Sequence, residues 1–546
     1  MGQQEHRNSW ASRNNDRLSP IPSPVSSVVS TLLVPLLVWI NLIVPAQAQT
    51  QFSAPKISPT AVTAAAIQPY LDRVIQNVTE FQLDNGMKFI VLERHNAPVV
   101  SFLTYADVGG TDELTGKTGI SHFLEHLAFK GTTRIGTTDF TKEKPLLDRQ
   151  DQLFEQLKGE QLKLVKDSKQ NSETTTKLQA EFRKVDQELL QVSKQNEFGQ
   201  LIEQYGGVGL NATTSADATN YFFSFPSNKL ELWMALESDR FLDPVLREFF
   251  KEKAVILEER RMRIDNSPIG QLIEEYLQTA FKVHPYRQPV AGFSNDVKSM
   301  SRGDVQKFFE KFYTPDNLTF AIVGDVNPTI VKTLAQTYFG RIARRTGPKR
   351  DIPVEPRQTE TRSVQLKLKS EPIYLEGYHR PSLNHPDNAI YEAIASLLSD
   401  GRTSRLYKSL VETQKVALTA EGFNGFPGDK YPNLIMFYAL SAPGQTLESV
   451  QNGIQTEIQR LKTEPVSETD LGRIKTNARA SLLRSLDSNS GMAQALMQYQ
   501  IKTGTWRNLF KQLDAINAIT PADIQRVATA TFTPENRTIG KILPAT

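Results

Sequence analysis

Two histidines and a glutamate occupy a short apolar stretch of the chain, GISHFLEHLAFKGTT, at residues 119–133. His122 and His126 are four residues apart, so on a helix both imidazoles lie on one face and can reach one metal ion. Zn²⁺ accepts histidine nitrogen and carboxylate oxygen, and a catalytic zinc site keeps one position for water. Glu125 directly precedes the second histidine and is placed to take a proton from that water, as in the HxxEH arrangement.

The alternative is a helix that carries two histidines and a glutamate without binding anything. The neighbouring apolar residues Phe123, Leu124, Leu127 and Phe129 predict that most of this helix is buried. Buried polar side chains without partners are costly. A metal ion is the simplest partner for all three, and we expect one Zn²⁺ per chain.

A third ligand is needed, and KEKAVILEERRMRIDNSP at residues 251–268 offers three glutamates, Glu252, Glu258 and Glu259. Glu252 and Glu259 are seven residues apart, so on a helix they share one face. Glu258 would point about 100° away from Glu259. The pattern favours Glu252 and Glu259 but leaves Glu258 open as a ligand.

The overall composition is that of a globular protein. The chain has 546 residues, of which 39% are hydrophobic and 23% charged, with a formal net charge of +3. This length predicts about two to four domains. The balanced charge gives no reason to expect a nucleic-acid partner. Cysteine is absent, so any metal must be held by histidines and carboxylates, and disulfides are excluded.

The N-terminal residues 1–48 have the features of a signal peptide. Arginines precede the apolar run Val25 to Val44, and AQA at residues 46–48 has the small-x-small form of a cleavage site. We therefore expect an exported protein, either periplasmic or secreted. The alternative is membrane association through an uncleaved anchor at 25–44, although Pro35 and Asn41 weaken that run as a span.

The chain after residue 48 divides into segments of different composition. Residues 49–77 are rich in Ala, Pro and Thr and predict a linker. Residues 143–195 are polar, with apolar residues at heptad spacing, and predict a helical hairpin within a first domain at 78–345. The basic, proline-rich segment 346–360 is expected to be a second linker, and a C-terminal domain is expected at 361–546.

An internal repeat relates the two halves. The segment SRGDVQKFFEKFYTPDNLTF begins at Ser301, and TPADIQRVATATFTPENRTI begins at Thr520, an offset of 219 residues. Asp304 then aligns with Asp523, and both segments carry a Thr-Pro pair followed by Asn. We expect two copies of one domain. Only the first copy contains HFLEH, so the chemistry belongs to that copy.

These segments resemble the pitrilysin family of zinc metallopeptidases, especially bacterial members related to mitochondrial processing peptidase. HFLEH and EKAVILEE carry the resemblance, which extends over about residues 78–545 through GLNATTSADATNYF, LESDRF, HPYRQPVAG, YTPDNLTFAIVGDV and GRTSRLYKSLVE. It implies an α+β fold of two homologous domains, each an antiparallel sheet with helices packed on it. The helical hairpin is then an insertion in the first domain.

The resemblance also implies residue roles. His122, His126 and Glu259 match the zinc ligands, Glu125 matches the catalytic base, and Glu252 matches an acidic residue that supports a ligand. The separation between His126 and Glu259 is longer than usual in the family, and the hairpin accounts for the excess.

A substrate-binding strand is implied as well. The stretch NATTS, at 211–215, matches the strand along which relatives bind an extended peptide. Asn211, Ala212 and Thr213 are therefore expected to bind substrate by strand addition.

This sequence departs from the pitrilysin family at one pair of positions. Family enzymes use an Arg and, seven residues later, a Tyr to contact the substrate carbonyl, but this chain has Val411 and Leu418 there. Arg405 and Tyr407 lie nearby at the wrong spacing. In some relatives the zinc motif and the Arg/Tyr pair are on separate subunits. We therefore expect a zinc-dependent endopeptidase acting on peptides or unfolded segments as one half of a heterodimer, with a homodimer or a lone chain as the alternatives.

A different class of function stays open. Some pitrilysin-like subunits with decayed motifs are non-catalytic scaffold or assembly proteins. The intact set of His122, Glu125, His126, Glu252 and Glu259 favours the enzyme, because a decayed copy has little reason to keep all five.

Overall fold

The computed structural model describes residues 64–166 and 172–545. The predicted signal peptide at 1–48, with its apolar run, lies outside the described residues. Among the helices of the described ranges, none is both long enough and apolar enough to cross a membrane.

The first sheet has six strands in the order β1-β2-β6-β3-β5-β4. Its strands are β1 (Val78–Gln82), β2 (Lys88–Glu93), β3 (Val99–Ala106), β4 (Val208–Thr214), β5 (Thr219–Pro226) and β6 (Leu318–Gly324). β2 and β6 pair in parallel, and all other neighbours are antiparallel. Every residue of β6 is buried, which places this strand at the centre of the core. β4 lies at the edge.

The second sheet has five strands in the order β7-β11-β8-β10-β9. They are β7 (Arg362–Leu368), β8 (Ile373–Arg380), β9 (Ala417–Phe426), β10 (Asn433–Ser441) and β11 (Arg537–Pro544). Without β1, the first sheet has the same order of strands along the chain, and the one parallel pair, β7 with β11, falls in the same place. The α+β fold of two homologous units is confirmed, although each sheet contains this one parallel pair instead of being wholly antiparallel.

Helices cover these sheets. The helices before β7 are α1 (Ala64–Gln76), α2 (Ile120–Leu127), α3 (Phe140–Lys166), α4 (Ser172–Val192), α5 (Glu197–Gln204), α6 (Leu230–Leu242), α7 (Phe249–Arg260), α8 (Pro268–Ala280), α9 (Ser294–Ser299), α10 (Arg302–Phe312) and α11 (Pro328–Tyr338). Those after β8 are α12 (Asn388–Ser399), α13 (Leu447–Thr463), α14 (Glu468–Asp487), α15 (Asn489–Thr503), α16 (Asn508–Ala518) and α17 (Pro521–Thr531). Short π-helical segments follow α7, at Arg261–Asp265, and precede β9, at Tyr407–Thr413.

The repeated sequence forms the same local structure twice. α10 and α17 each begin with a reciprocal capping box, Ser301 with Asp304 and Thr520 with Asp523. Such a box satisfies two backbone N–H groups that have no partner within the helix. Each helix then leads through a Pro-initiated turn into the strand next to the centre of its sheet.

The two halves exchange helices. α8, from the first half, packs on the second sheet, and the buried Tyr276 donates its hydroxyl to the carbonyl of Thr538 at 3.2 Å. α15, from the second half, packs on the first sheet, where Leu496 shares an apolar cluster with Leu103 and Val323. Each sheet is therefore covered on its second face by the other half of the chain.

The two segments that were predicted to be linkers differ in secondary structure. Residues 346–360 contain neither helix nor strand. Residues 49–77 were expected to form a linker, but residues 64–76 of this segment form α1, and residues 49–63 lie outside the described residues. Leu71 and Val74 of α1 are buried in an apolar cluster that includes Leu486. This packing against a distant part of the chain stabilises a helix whose local composition predicts none.

α3 and α4 form the expected helical hairpin. Leu153, Val185 and Leu189 form a small apolar cluster between the two helices. At its base, the buried Arg247 makes two hydrogen bonds to Glu143, at 2.8 and 2.9 Å. The hairpin is thus anchored to the domain by a buried ion pair.

Candidate metal centre

α2 carries both histidines and is fixed at its N-terminus. Gly119 precedes the helix with φ of 85°, and a Cβ there would come within 2.8 Å of the Ala291 carbonyl oxygen. Only glycine fits that conformation and that approach. The buried Glu113 carboxylate accepts hydrogen bonds from the backbone N–H groups of Gly119 at 2.7 Å and Ser121 at 2.9 Å. These contacts set the position of the first turn of α2.

α7 brings the Glu259 carboxylate to the same place. Phe123 of α2 stacks on Phe249 of α7 with ring centroids 4.6 Å apart. Near the end of α7, Oε2 of Glu259 lies 3.7 Å from Nε2 of His122 and 3.6 Å from Nε2 of His126. Glu258 instead points outward to Arg261. Of these two neighbouring carboxylates, that of Glu259 is the one that lies beside both histidines.

The donor atoms fit a shared zinc ion. Atoms of His122, His126 and Glu259 lie within 4.8 Å of one another, and this is the one such group found in the described ranges. Donors about 2.0–2.2 Å from one tetrahedral zinc ion lie roughly 3.3–3.6 Å apart. The 3.6 and 3.7 Å that separate Oε2 of Glu259 from the two histidine nitrogens are close to this range. His122 is 2% exposed, and neither of its ring nitrogens has a hydrogen-bond partner. A buried imidazole without partners is explained by a metal ion.

Glu252 supports His126 from behind. Its Oε2 lies 3.1 Å from Nδ1 of His126, and its Oε1 lies 2.6 Å from Nζ of Lys130. A carboxylate on the far nitrogen fixes the tautomer and ring orientation of a ligating histidine. Burial opposes ionisation of Glu252, but the contacts with His126 and Lys130 outweigh it and lower its pKa to about 2.

The two histidines differ electrostatically. Burial is the main cause that lowers the pKa of His122 to about 3, so this ring is neutral and available as a ligand. Burial also acts on His126, but its hydrogen bonds with Glu252 and Glu259 outweigh burial and raise its pKa to about 9. A metal ion must therefore displace a proton from His126.

Glu125 lies beside the ligands without joining them. It is 1% exposed, and its Oε2 accepts a hydrogen bond of 2.5 Å from the Thr214 hydroxyl. Burial is the main cause that raises its pKa to about 7, and the Thr214 hydrogen bond acts in the opposite direction. A carboxylate with a pKa near neutrality suits proton transfer in both directions.

β4 carries the three residues expected to bind substrate. Asn211, Ala212 and Thr213 lie on this strand, which pairs with β5 on one side and has no other strand partner in the described part of the chain. Ala212 and Thr214 face the core beside α2, whereas Thr213 faces the opposite side of the sheet. The structure places these residues on the edge strand of the sheet, outside the group formed by His122, His126 and Glu259.

Sequence reasoning missed several supporting residues. Thr214 stands in the same NATTS stretch, and strict alternation along the strand could have identified it as the residue facing α2. Lys130 and Glu113 carry no sequence signal of their own, because their contacts depend on tertiary packing.

The second half has no comparable site among its described residues. Val411 packs against the apolar core of that half, and Leu418 is exposed. Arg405 lies 3.7 Å from Asp470, in an ion pair. The positions that would carry the Arg/Tyr pair therefore carry apolar side chains.

Two family models match the chain. One described as Insulinase (Peptidase family M16) matches residues 89–144 and 190–293. One described as Peptidase M16 inactive domain matches residues 299–478. The break in the first match falls on the helical hairpin.

Several similar proteins carry the name protease. The zinc protease PqqE of Helicobacter pylori is 27% identical over 431 residues, covering 77% of this chain and 82% of that protein. The crystal structure of a protease from Helicobacter pylori matches with a TM-score of 0.71 and 26% identity, over 86% of this chain and 99% of that chain. The periplasmic protease PqqL of Escherichia coli shares the fold at 15% identity and a TM-score of 0.63, over 86% of this chain and 48% of that chain.

The family models, these similar proteins and the duplicated sheet architecture agree with one another. Together they show that the chain belongs to the peptidase M16, or pitrilysin, family.

Proposed function

We propose that this chain is a zinc-dependent endopeptidase that holds one zinc ion through His122, His126 and Glu259. The observation that supports this most is the convergence of three ligand atoms around one point, with Glu125 buried beside them. Peptides and unfolded protein segments are the proposed substrates.

The residues around this point have separate tasks. Zinc, when bound, supplies Lewis-acid activation of water and of the scissile carbonyl. Glu125 accepts the proton of the attacking water and delivers it to the leaving amine as the C–N bond breaks. Thr214 holds Glu125 in place, and Glu252 holds His126 in the tautomer that presents Nε2.

The substrate is proposed to lie extended along the free edge of β4. Strand addition supplies main-chain hydrogen bonds and needs no particular side chain. Because Thr214 of this strand contacts Glu125, a peptide on β4 lies next to the base. Asn211, Ala212 and Thr213 would form the pairing edge.

A partner subunit is part of the proposal. Val411 and Leu418 cannot donate hydrogen bonds to a substrate carbonyl, and loss of such a donor typically costs about 10²–10³ in rate. The Escherichia coli protease PqqL is matched over only 48% of its length, so one such chain has room for two units of this size. We propose a heterodimer with a pitrilysin-like subunit that carries the Arg/Tyr pair, and a homodimer otherwise.

Export is proposed from the sequence of residues 1–48. A signal peptide there would place the enzyme in the periplasm or outside the cell. Cell fractionation with N-terminal sequencing of the mature chain tests this point, and an intact N-terminus in the membrane fraction would indicate an anchor instead.

Elemental analysis of the purified chain lacking residues 1–48 tests the metal site. We expect about one zinc per chain, lost in Glu259→Gln and retained in the control Glu258→Gln, whose parent carboxylate is exposed and paired with Arg261. Peptide cleavage, alone and with a partner subunit, should then be abolished by Glu125→Gln. A parent chain that takes up no zinc at neutral pH would contradict the enzyme and leave a non-catalytic scaffold as the function.

A further inference from the structure

The two carboxylate oxygens of Glu259 have different surroundings. Oε2 lies 3.7 Å from Nε2 of His122 and 3.6 Å from Nε2 of His126. Oε1 instead lies 2.7 Å from Nη1 of Arg263, in an ion pair. Oε1 is enclosed and accepts no hydrogen bond from the described residues, so the guanidinium is the polar partner that they give it. One oxygen of this carboxylate therefore belongs to the proposed metal site, and the other belongs to Arg263.

The backbone that carries Arg263 is held in place. Arg263 lies in the π-helical segment Arg261–Asp265, which directly follows α7. Gly270, in the first turn of α8, packs so closely on this segment that a Cβ there would come within 2.2 Å of the Arg263 carbonyl oxygen. π-helical turns are rare and occur frequently at functional sites. The contact with α8 fixes the segment from which the Arg263 side chain reaches Glu259.

A second ion pair at the end of α7 provides a contrast. Arg261 and Glu258 have side chains that are 56% and 50% exposed, whereas those of Arg263 and Glu259 are 23% and 13% exposed. Exposed ion pairs contribute little because water and salt screen them, and the attraction between charges strengthens as they leave water. The Arg263–Glu259 pair is therefore the one of these two that can hold a side chain in position.

The position of Oε1 decides how many places on a metal ion Glu259 fills. A carboxylate can bind a metal ion through one oxygen or through both. Two histidine nitrogens and one carboxylate oxygen leave the fourth tetrahedral position of zinc for water. Binding through both oxygens would occupy that position or require a fifth. A cation beside Oε1 opposes this arrangement, because turning Oε1 towards the metal would break the ion pair.

We propose that Arg263 is a positioning residue that restricts Glu259 to binding the metal through one oxygen, and thereby keeps a metal position open for the attacking water. Arginine suits this task because its guanidinium is always protonated in proteins. The inference rests on the proposed function, because it gives Arg263 a part in metal-activated hydrolysis.

Co²⁺ in place of Zn²⁺ reports the number of ligands, because its visible absorption bands lose intensity when coordination rises from four to five ligands. The purified chain is freed of metal, loaded with Co²⁺ and measured by visible absorption. We expect strong bands in the parent and bands about twofold weaker in Arg263→Met, in which Oε1 is free to join the metal. Arg261→Met, which removes the exposed partner of Glu258, is the matched control and should give the parent spectrum.

A conservative variant and zinc affinity distinguish positioning from a purely structural role. Arg263→Lys keeps a positive charge on a side chain of similar length, so it should restore most of the parent absorption. In Arg263→Met, peptidase kcat should fall about 10- to 100-fold, as is typical when the partner of a ligating side chain is lost. Zinc affinity, measured against a chelator, should equal or exceed that of the parent, because a repelling charge is gone and Oε1 can bind. A purely structural role would instead lower zinc affinity and leave the Co²⁺ bands at parent intensity.

The outcomes separate this inference from the proposed function. Parent-like bands in Arg263→Met would refute the role of Arg263 and leave the zinc peptidase standing. Weakened bands in Arg263→Met, when the parent binds metal but cleaves no peptide, would retain the role and contradict the peptidase. A parent chain that takes up neither Zn²⁺ nor Co²⁺ would contradict both. Bands as weak in Arg263→Lys as in Arg263→Met would refute a role of the positive charge. If Arg263→Met does not fold, Arg263→Gln replaces it in each comparison, since it also removes the charge.

Discussion

The hydroxyl of Thr214 donates a 2.5 Å hydrogen bond to Oε2 of Glu125, so the edge strand β4 is joined directly to the carboxylate on α2. Both residues are buried, and neither belongs to the group of His122, His126 and Glu259. The strand that would bind substrate therefore also holds the proposed base. Movement of β4 when a peptide pairs with it would be transmitted to Glu125 through this bond.

Thr214→Val tests this connection. Hydrogen bonds to charged groups contribute about 1.5–3 kcal/mol, so we expect peptidase kcat to fall about 10- to 100-fold while zinc content stays at the parent level. Steady-state kinetics with elemental analysis measures both. Thr419→Val, on the corresponding edge strand of the second sheet, is the matched control and should leave kcat unchanged. Loss of zinc in Thr214→Val would show that this residue shapes the metal site and not the base.

Glu252→Gln should weaken zinc binding without removing a ligand. The variant keeps the shape of the side chain but loses the charge that orients His126 at 3.1 Å. Loss of such a partner typically costs about 10- to 100-fold in metal affinity. Competition with a zinc chelator of known affinity measures the change. The control Glu258→Gln, on the same helix, should match the parent, and equal affinity in both variants would contradict the role of Glu252.

Arg247→Met should destabilise the first domain strongly. Arg247 and Glu143 have side chains 3% and 0% exposed, and Arg247 also donates to the carbonyls of Lys130, Thr132 and Ile135. Removal of one member of a buried ion pair costs about 3–5 kcal/mol, because the other charge is left without a partner. Urea unfolding measures this loss.

Two comparisons identify the cause of that loss. The double variant Arg247→Met/Glu143→Met removes both charges, so it should recover part of the free energy of unfolding. Arg149→Met, in the exposed pair with Glu181 on the hairpin, should change it little. A double variant with the same stability as Arg247→Met would show that the loss comes from the contacts of Arg247 with the backbone carbonyls and not from the unpaired Glu143 charge.

His284 should make the fold sensitive to acid. Burial is the main cause that lowers its pKa to about 4, and its Nδ1 accepts a hydrogen bond from the Tyr286 N–H at 3.1 Å, which requires a neutral ring. Between pH 4 and the unfolded value of about 6.5, the unfolded chain binds the additional proton, so stability falls as pH falls. Lowering the pH from 7.5 to 5 should cost about 2 kcal/mol through this residue alone.

His284→Asn keeps an acceptor for the Tyr286 N–H and does not titrate in this range. The difference in the free energy of unfolding between pH 7.5 and pH 5, measured in urea, should therefore be smaller in the variant than in the parent. His385→Asn, at an exposed histidine, should leave that difference unchanged. An equal pH dependence in the parent and in His284→Asn would show that acid sensitivity has another origin.

Local sequence was enough to predict much of the site and of the architecture. The i, i+4 spacing of His122 and His126 predicted their common helical face, because helical periodicity depends only on positions in the chain. The repeat at an offset of 219 residues predicted two similar units, and the two sheets have the same strand order once the additional strand β1 of the first sheet is left out. The capping residues Ser301 and Asp304 also act over only a few positions of the chain, because they satisfy backbone groups at the start of their own helix.

Contacts between distant segments could not be derived from local patterns. The choice of Glu259 over Glu258 depended on how α7 packs against α2 through Phe249 and Phe123, which are 126 residues apart in the chain. The helical character of residues 64–76 depended on burial against the second half, and composition alone predicted a linker there.

The sequence by itself therefore determined which residue types are available for zinc chemistry and which of them share a helical face. Only the tertiary structure decided the hydrogen bond from Thr214 to Glu125 and the ion pair between Glu252 and Lys130. The physical reason is that periodicity and capping act within a few residues, whereas these features depend on side-chain packing between segments separated by more than 80 residues, such as Glu125 and Thr214.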